Sequence, residues 1–279
     1  MLGKLIKHEW KDTYKIGCLL LFIVALVTLF GWLAFQTPMW QSLAEGGSRF
    51  SWVDIFSILT LIMYVMMLTG INYGLMIYLG VHFYQTMYTD QGYLVHTLPV
   101  TKHQILFSKI LISGLWIFLV MLTVYLSVGI LGVSMISRIL PGGYSLSSIW
   151  REIGMDLGTF IDLLGEELNF DIIRWLVIVL LMSLVSPFVT VTILFGAISI
   201  GQLFGKHRVL MAILCYIGIM VAVNIVTGII RSFATVSGLQ SFGNYVNTTM
   251  DSTFIINLLL AVGLYFVSWH VTNNRLNMQ

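Results

Sequence analysis

Charged residues are scarce in this 279-residue chain, in which Asp, Glu, Lys and Arg together make up 9% of the residues. A soluble domain carries roughly 25%, so the sequence excludes an ordinary water-soluble domain. Its 58% hydrophobic content excludes a disordered chain. The net charge of +2 lacks the basic excess typical of nucleic-acid binding, and we expect no nucleic-acid partner. What remains is a membrane protein with several spans.

The sequence also lacks the residues that build common catalytic and metal sites. Cys18 and Cys215 lie inside apolar runs, where small buried residues are expected rather than a disulfide framework or a metal site. The string closest to a phosphate-binding loop begins at Gly201, but it is one residue too short and His207 replaces the required Ser or Thr. We therefore expect no enzymatic activity, and no cofactor or metal, in this chain.

Six apolar runs are long enough to cross a bilayer, which takes about 17–25 residues. The runs cover about 16–35, 54–81, 105–133, 172–200, 209–230 and 253–270. Proline lacks the N–H that a helix needs, so we expect a kink or a break at Pro187 in the fourth run. The sequence predicts an all-α integral membrane protein in which 1–279 form a single transmembrane domain.

The loops between the runs set the orientation. With the N-terminus inside, nine of the 14 Lys and Arg residues fall on the cytoplasmic side, as the positive-inside rule prefers. Both termini and the loop 82–104 are then cytoplasmic, and the segment 134–171 lies outside. We expect a multi-pass protein of the cell membrane, specifically of a bacterial plasma membrane.

Two segments outside the runs have helical amphipathic patterns. The first, 1–15, predicts a basic helix at the membrane–cytosol interface, which is either a docking surface for a cytoplasmic partner or a plain anchor to membrane lipid. The residues assigned to docking are Lys4, Lys7, Glu9, Trp10 and Lys11. The second, 134–171, predicts a helix on the outer surface. Its carboxylates lack the spacing of a calcium loop and indicate a solvated face.

The loop between the second and third spans predicts a short cytoplasmic helix. Gly92 can release the chain from the preceding helix, and Pro99 ends the short helix near Leu98. Tyr93, Leu94 and Leu98 form an apolar strip on it. An apolar strip exposed to the cytosol is a mechanical contact for another protein, and a plain loop is the alternative.

This combination of an N-terminal amphipathic helix, six spans and a cytoplasmic loop helix resembles the permease subunits of type-2 ABC transporters. In that family the loop often reads Leu-x-x-x-Leu-Pro-Val/Ile, followed by polar residues and a Lys a few residues into the next span. The matching positions here are Leu94, Leu98, Pro99, Val100, Thr101, Lys102 and Lys109. The topology match covers nearly the whole chain.

The resemblance implies a permease subunit of an exporter that works by alternating access. It implies a cytoplasmic ATP-binding subunit, which holds ATP and Mg, and a second permease subunit that is identical or related. The residues implied to couple to the ATPase are Gly92, Tyr93, Leu94, Leu98, Pro99, Val100 and Lys102. The alternative from another class is a non-transporting scaffold or sensor that binds a cytoplasmic partner through 82–104.

Polar residues are few inside the apolar runs. Asn72 and Asn224 are candidates for a seam between helices or, with Pro187, for a translocation path. Intramembrane charge is nearly absent, which favours an amphipathic or apolar substrate such as a peptide, a lipid or a drug.

The orientation predicts where a protease can cut. Trypsin added to intact cells should cleave after Arg151, because 134–171 lies outside. Immunoblotting of the fragments measures this. Cleavage at Arg151 in inverted vesicles alone would contradict the orientation.

Overall fold

The computed structural model of the chain describes residues 2–36, 52–89, 92, 100–139, 172–204, 207–236 and 242–274. These residues form six α-helices and no strand. The helices are α1 (Leu2–Phe35), α2 (Trp52–Tyr88), α3 (Lys102–Ile139), α4 (Ile172–Gly201), α5 (Arg208–Val236) and α6 (Phe242–Asn274).

Each helix contains a stretch that is long and apolar enough to cross a membrane, which confirms the prediction of six such helices. A helix satisfies every backbone N–H and C=O internally, which a bilayer requires because it offers no water. Several hydroxyl side chains also form their hydrogen bonds within their own helix. Thr60, Thr69 and Thr227 each donate to the carbonyl four residues earlier in their own helix.

Helix α1 is continuous from Leu2 to Phe35, so the predicted interfacial segment and the first span are two parts of one helix. The junction between them contains no proline, and nothing there interrupts the backbone hydrogen bonds. The outer helix predicted over 134–171 lies outside the described residues, except that 134–139 belong to α3.

Helix α4 also runs on where the sequence predicts a kink or a break, and the break is wrong. Pro187 is fully buried inside the helix. Nearby hydroxyls bond back to the helix, as Thr190 Oγ1 does to the Ser186 carbonyl at 2.9 Å. Proline removes the N–H partner of the Ser183 carbonyl, but a bilayer offers no water to that carbonyl, so opening the helix would gain nothing.

The chain divides into two compact units. The larger unit comprises Met1–Lys11, Ile77–Phe118 and Phe160–Gln279. Within it α4, α5 and α6 pack against one another. Core residues of this packing include Val189, Ile193, Ala261 and Leu264.

The other unit comprises Asp12–Met76 and Leu119–Thr159. Polar contacts in this unit meet at Ser127 of α3. Its Oγ lies 2.7 Å from Tyr64 Oη of α2 and 2.6 Å from Thr28 Oγ1 of α1. The three hydroxyl groups therefore satisfy one another between three helices, which is how polar groups in a membrane usually stabilise packing.

The close approach of α4 and α5 depends on Gly201. A Cβ at this position would lie 2.6 Å from the N and Cα atoms of Ala212, which are backbone atoms and cannot rotate away. We expect Gly201→Ala to lower the free energy of unfolding by about 1–3 kcal/mol, the usual cost of overpacking. The thermal midpoint in detergent, followed by circular dichroism, measures the change.

Gly218→Ala is the matched control, because a Cβ at Gly218 of α5 would meet no atom within 4 Å. This variant should keep the wild-type midpoint or exceed it slightly, since alanine favours helix over glycine. Equal midpoints for the two variants would refute the tight approach at Gly201.

Candidate functional site

The last turns of α2, just before the loop to α3, are anchored on α4. Phe83 is buried, and its ring stacks on Phe195 with the ring centroids 3.9 Å apart. Tyr88 Oη donates to Ser199 Oγ at 2.8 Å. An aromatic stack and a hydrogen bond therefore fix the chain where it enters the loop.

Gly92 is buried against the end of α2. Its N–H donates to the Thr89 carbonyl at 2.8 Å. A Cβ at this position would lie 2.5 Å from the carbonyl oxygen of Met87, a backbone atom. Any side chain would collide with the last turn of α2, so this close approach requires glycine.

The first residues of α3, just after the loop, are anchored on α6. Lys102 Nζ donates to the carbonyls of Thr272 and Asn273 at 2.9 and 3.3 Å. These carbonyls belong to the last turn of α6, where a cation is favoured by the helix dipole and satisfies groups that lack a partner within the helix. The ring of His103 stacks on Trp269 with centroids 4.6 Å apart.

A buried ion pair lies two turns further along α3. Lys109 is 3% exposed. Its Nζ donates to Glu9 Oε1 of α1 at 2.5 Å and to Thr86 Oγ1 of α2 at 2.8 Å. His82 Nε2 of α2 lies 3.7 Å from the other oxygen of the Glu9 carboxylate. This cluster of Glu9, His82, Thr86 and Lys109, here called the polar cluster, joins three helices.

The polar cluster is charged. The Glu9 carboxylate and the Lys109 ammonium are opposite charges in hydrogen-bond contact, and each is the counter-ion of the other. Each buried charge alone would cost several kcal/mol of solvation, so each needs the other in place.

An aromatic contact joins the same two helices beside the polar cluster. Trp10 of α1 stacks on Trp116 of α3, with centroids 4.7 Å apart and planes inclined by 19°. Since Trp10 follows Glu9 directly in the chain, the ion pair and the stack fix the same turn of α1 on α3. Stacked aromatic pairs contribute about 0.5–1.5 kcal/mol beyond the burial of their surface.

The residues predicted to couple to an ATPase are described in part. Tyr93, Leu94, Leu98 and Pro99 lie outside the described residues. Val100 is half-buried beside the start of α3. What the structure describes is the anchoring of the chain on either side of them.

The residues assigned to docking on α1 fall on different sides of the helix. Lys4, Lys7 and Lys11 are exposed, and Trp10 is 39% exposed. Glu9 is buried, and its carboxylate is paired with Lys109. It is therefore not on the exposed side of α1 with the three lysines.

The two asparagines assigned to a seam bond within their own helices. Asn72 Nδ2 donates to the Leu68 carbonyl at 3.0 Å, and Asn224 Nδ2 donates to the Met220 carbonyl at 2.8 Å. Asn72 is half-buried, whereas Asn224 is exposed on α5. Their role in a seam or a translocation path stays a prediction.

Sequence reasoning did not pair Glu9 with Lys109, although a signal was present. Lys109 is the single charged residue of the run 105–133. Glu9 follows Leu5 by four residues, on the apolar side of the N-terminal pattern. Two isolated and opposite charges on apolar faces are expected to find each other, because neither can be buried alone.

Within the described residues, no group of three or more His, Cys, Asp or Glu side chains is placed to hold a metal ion. No family model, no curated protein and no solved structure matches the chain. The residues of the chain itself therefore carry the functional argument.

The polar cluster predicts a non-additive pair of substitutions. Lys109→Met leaves a buried carboxylate without its counter-ion, and Glu9→Gln leaves a buried ammonium. Breaking a buried pair from one side costs about 3–5 kcal/mol, so each variant should have a clearly lower thermal midpoint in detergent. The double variant should recover part of the loss because both charges are gone.

Lys7→Met is the matched control, since it removes an exposed ammonium from the same segment of α1. We expect it to change the free energy of unfolding by no more than about 0.5 kcal/mol and to leave the thermal midpoint close to that of the wild type. If the losses of Glu9→Gln and Lys109→Met simply add in the double variant, the ion pair does not stabilise the fold.

Proposed function

We propose that the chain is the membrane-spanning permease subunit of an ATP-driven ABC exporter. A separate cytoplasmic ATPase subunit binds ATP and Mg²⁺ and contacts the loop between α2 and α3. Two permease subunits, identical or related, pair in the membrane. The proposal continues the resemblance found in the sequence and uses the orientation in which both termini are cytoplasmic.

The observation that carries the proposal is the anchoring of this loop at both ends. Before the loop, Tyr88 bonds to Ser199 near the end of α4. After the loop, Lys102 bonds to the last turn of α6. A loop that merely connects two spans needs neither contact. A loop that receives force needs both, because a push on it then displaces the ends of α4 and α6 directly.

The polar cluster extends the same connection to α1. Lys109 lies two turns after Lys102 on α3 and binds Glu9. A displacement of the start of α3 therefore also pulls on the N-terminal segment of α1. ATP binding would favour one of two helix arrangements by contacting the loop differently in each, which is the physical requirement for shifting a conformational equilibrium.

We propose an amphipathic or apolar substrate, such as a peptide, a lipid or a drug. The sequence places no Asp, Glu, Lys or Arg in the middle of any of its six apolar runs. A small ion or a charged solute held at mid-membrane depth would need such a partner. The direction of transport, export, follows from the family resemblance alone.

The proposal predicts that one substitution detaches the ATPase. Leu98→Glu puts a carboxylate into the apolar contact between loop and ATPase, and a charge buried there without a partner costs several kcal/mol. The tagged chain, purified in mild detergent, should lose at least nine-tenths of its co-purifying ATPase. Quantitative mass spectrometry of the purified complex measures this.

His96→Glu is the matched control, because a helix would place position 96 about 160° around its axis from Leu98. This variant should keep its ATPase. Full association of the ATPase with Leu98→Glu would refute the coupling role. A partner without a phosphate-binding loop that is lost on Leu98→Glu would favour the scaffold or sensor alternative.

A further inference from the structure

The exposed side of the first turns of α1 is strongly cationic. Lys4, Lys7 and Lys11 are exposed, and at 3.6 residues per turn they lie within about 60° of one another around the helix. These three residues are called the lysine row below. Lys15, four residues further along α1, continues the same line.

The acidic side chains that the structure describes near the lysine row lie to the side of it or opposite to it. Glu9 lies on the opposite side of α1, where its charge is matched by Lys109. Asp12 is about 100° from the middle of the row around the helix. Among the described residues, none forms a salt bridge with Lys4, Lys7 or Lys11. The row therefore presents three positive charges to its surroundings.

The lysine row precedes the apolar run 16–35 on the same continuous helix. Lys11 is five residues before the start of that run, Lys7 nine and Lys4 twelve. Lys11 is therefore the member of the row nearest to the apolar run.

Two aromatic side chains also lie beside the row on α1. Trp10 and Tyr14 are each 39% exposed. Rings of this kind, apolar with one polar group, gather at the level of lipid headgroups. Cations and exposed aromatic rings in one short helical segment next to a span are the combination that binds an anionic lipid surface.

We propose that the lysine row binds the headgroups of anionic phospholipids in the adjacent leaflet. The ammonium groups pair with lipid phosphates, and each lysine near the headgroups strengthens binding about fivefold. This contact holds the N-terminal segment of α1 against the membrane on one side, while Glu9 and Trp10 hold it to α3 on the other. The inference is independent of the transport proposal.

The test uses the full-length chain purified in an uncharged detergent. Phosphatidylglycerol or phosphatidylcholine with identical acyl chains is added, and native mass spectrometry counts the bound lipids. We expect at least tenfold stronger binding of phosphatidylglycerol, with a preference that falls as the ionic strength rises. The triple variant K4Q/K7Q/K11Q should lose most of this preference.

The triple variant K4R/K7R/K11R is the matched control, because it keeps the charge and should keep the preference. Among single variants, Lys11→Gln should weaken phosphatidylglycerol binding about fivefold and Lys4→Gln less, since Lys4 is further along α1 from the apolar run. Thermal midpoints confirm that each variant is folded, and the salt dependence of the wild type tests the proposal without any substitution.

Three results would overturn the proposal. The first is equal binding of the two lipids by the wild type. The second is an unchanged preference in K4Q/K7Q/K11Q, or an equal loss in the arginine variant. The third is a glutamine variant that keeps its lipid preference but loses a co-purifying protein, which would make the row a protein-docking surface.

Discussion

The packing of α1, α2 and α3 near the loop between α2 and α3 depends on the ion pair between Glu9 and Lys109. Neither charge is tolerable alone in a buried position, so α1 and α3 must meet at one defined level. Thr86 accepts a second hydrogen bond from the same ammonium, which fixes α2 at that level too. Apolar side chains alone would let these helices slide with little change in energy, because lipid tails are as apolar as leucine. A single polar cluster thus sets the register of three helices.

Further interhelical polar contacts of the larger unit lie beside the same loop, whereas the Arg174–Asp251 pair joins α4 to α6 near the start of α4. Tyr88 bonds to α4 just before the loop, and Lys102 bonds to the last carbonyls of α6 just after it. Elsewhere hydroxyl groups largely satisfy themselves within their own helix, as Thr227 does. Several directional contacts therefore lie at the two ends of the loop between α2 and α3. This placement links the packing of the larger unit to the proposed role of the loop, since directional contacts transmit displacement and apolar contacts permit sliding.

The sequence was sufficient to predict the helices. A chain this apolar must pair its backbone N–H and C=O groups internally in a bilayer, and an α-helix does so. The sequence allowed a break at Pro187, where the helix in fact continues. It could not identify the anchors of the loop. Lys102 and Thr272 are 170 residues apart, and Glu9 and Lys109 are 100 apart. Such pairs depend on which helices are neighbours, and no local pattern specifies this.

Site-specific photocrosslinking tests most directly whether the loop between α2 and α3 touches an ATPase, as proposed. A photoreactive phenylalanine analogue replaces Leu98 in the full chain, and the same analogue replaces His96 as the control. After irradiation of intact cells, mass spectrometry identifies the attached protein. We expect position 98 to be joined to a protein containing Gly-x-x-x-x-Gly-Lys-Ser/Thr, and position 96 to be joined to it far less. Attachment of position 98 to lipid alone, or to a protein without that motif, would contradict the proposed contact with an ATPase.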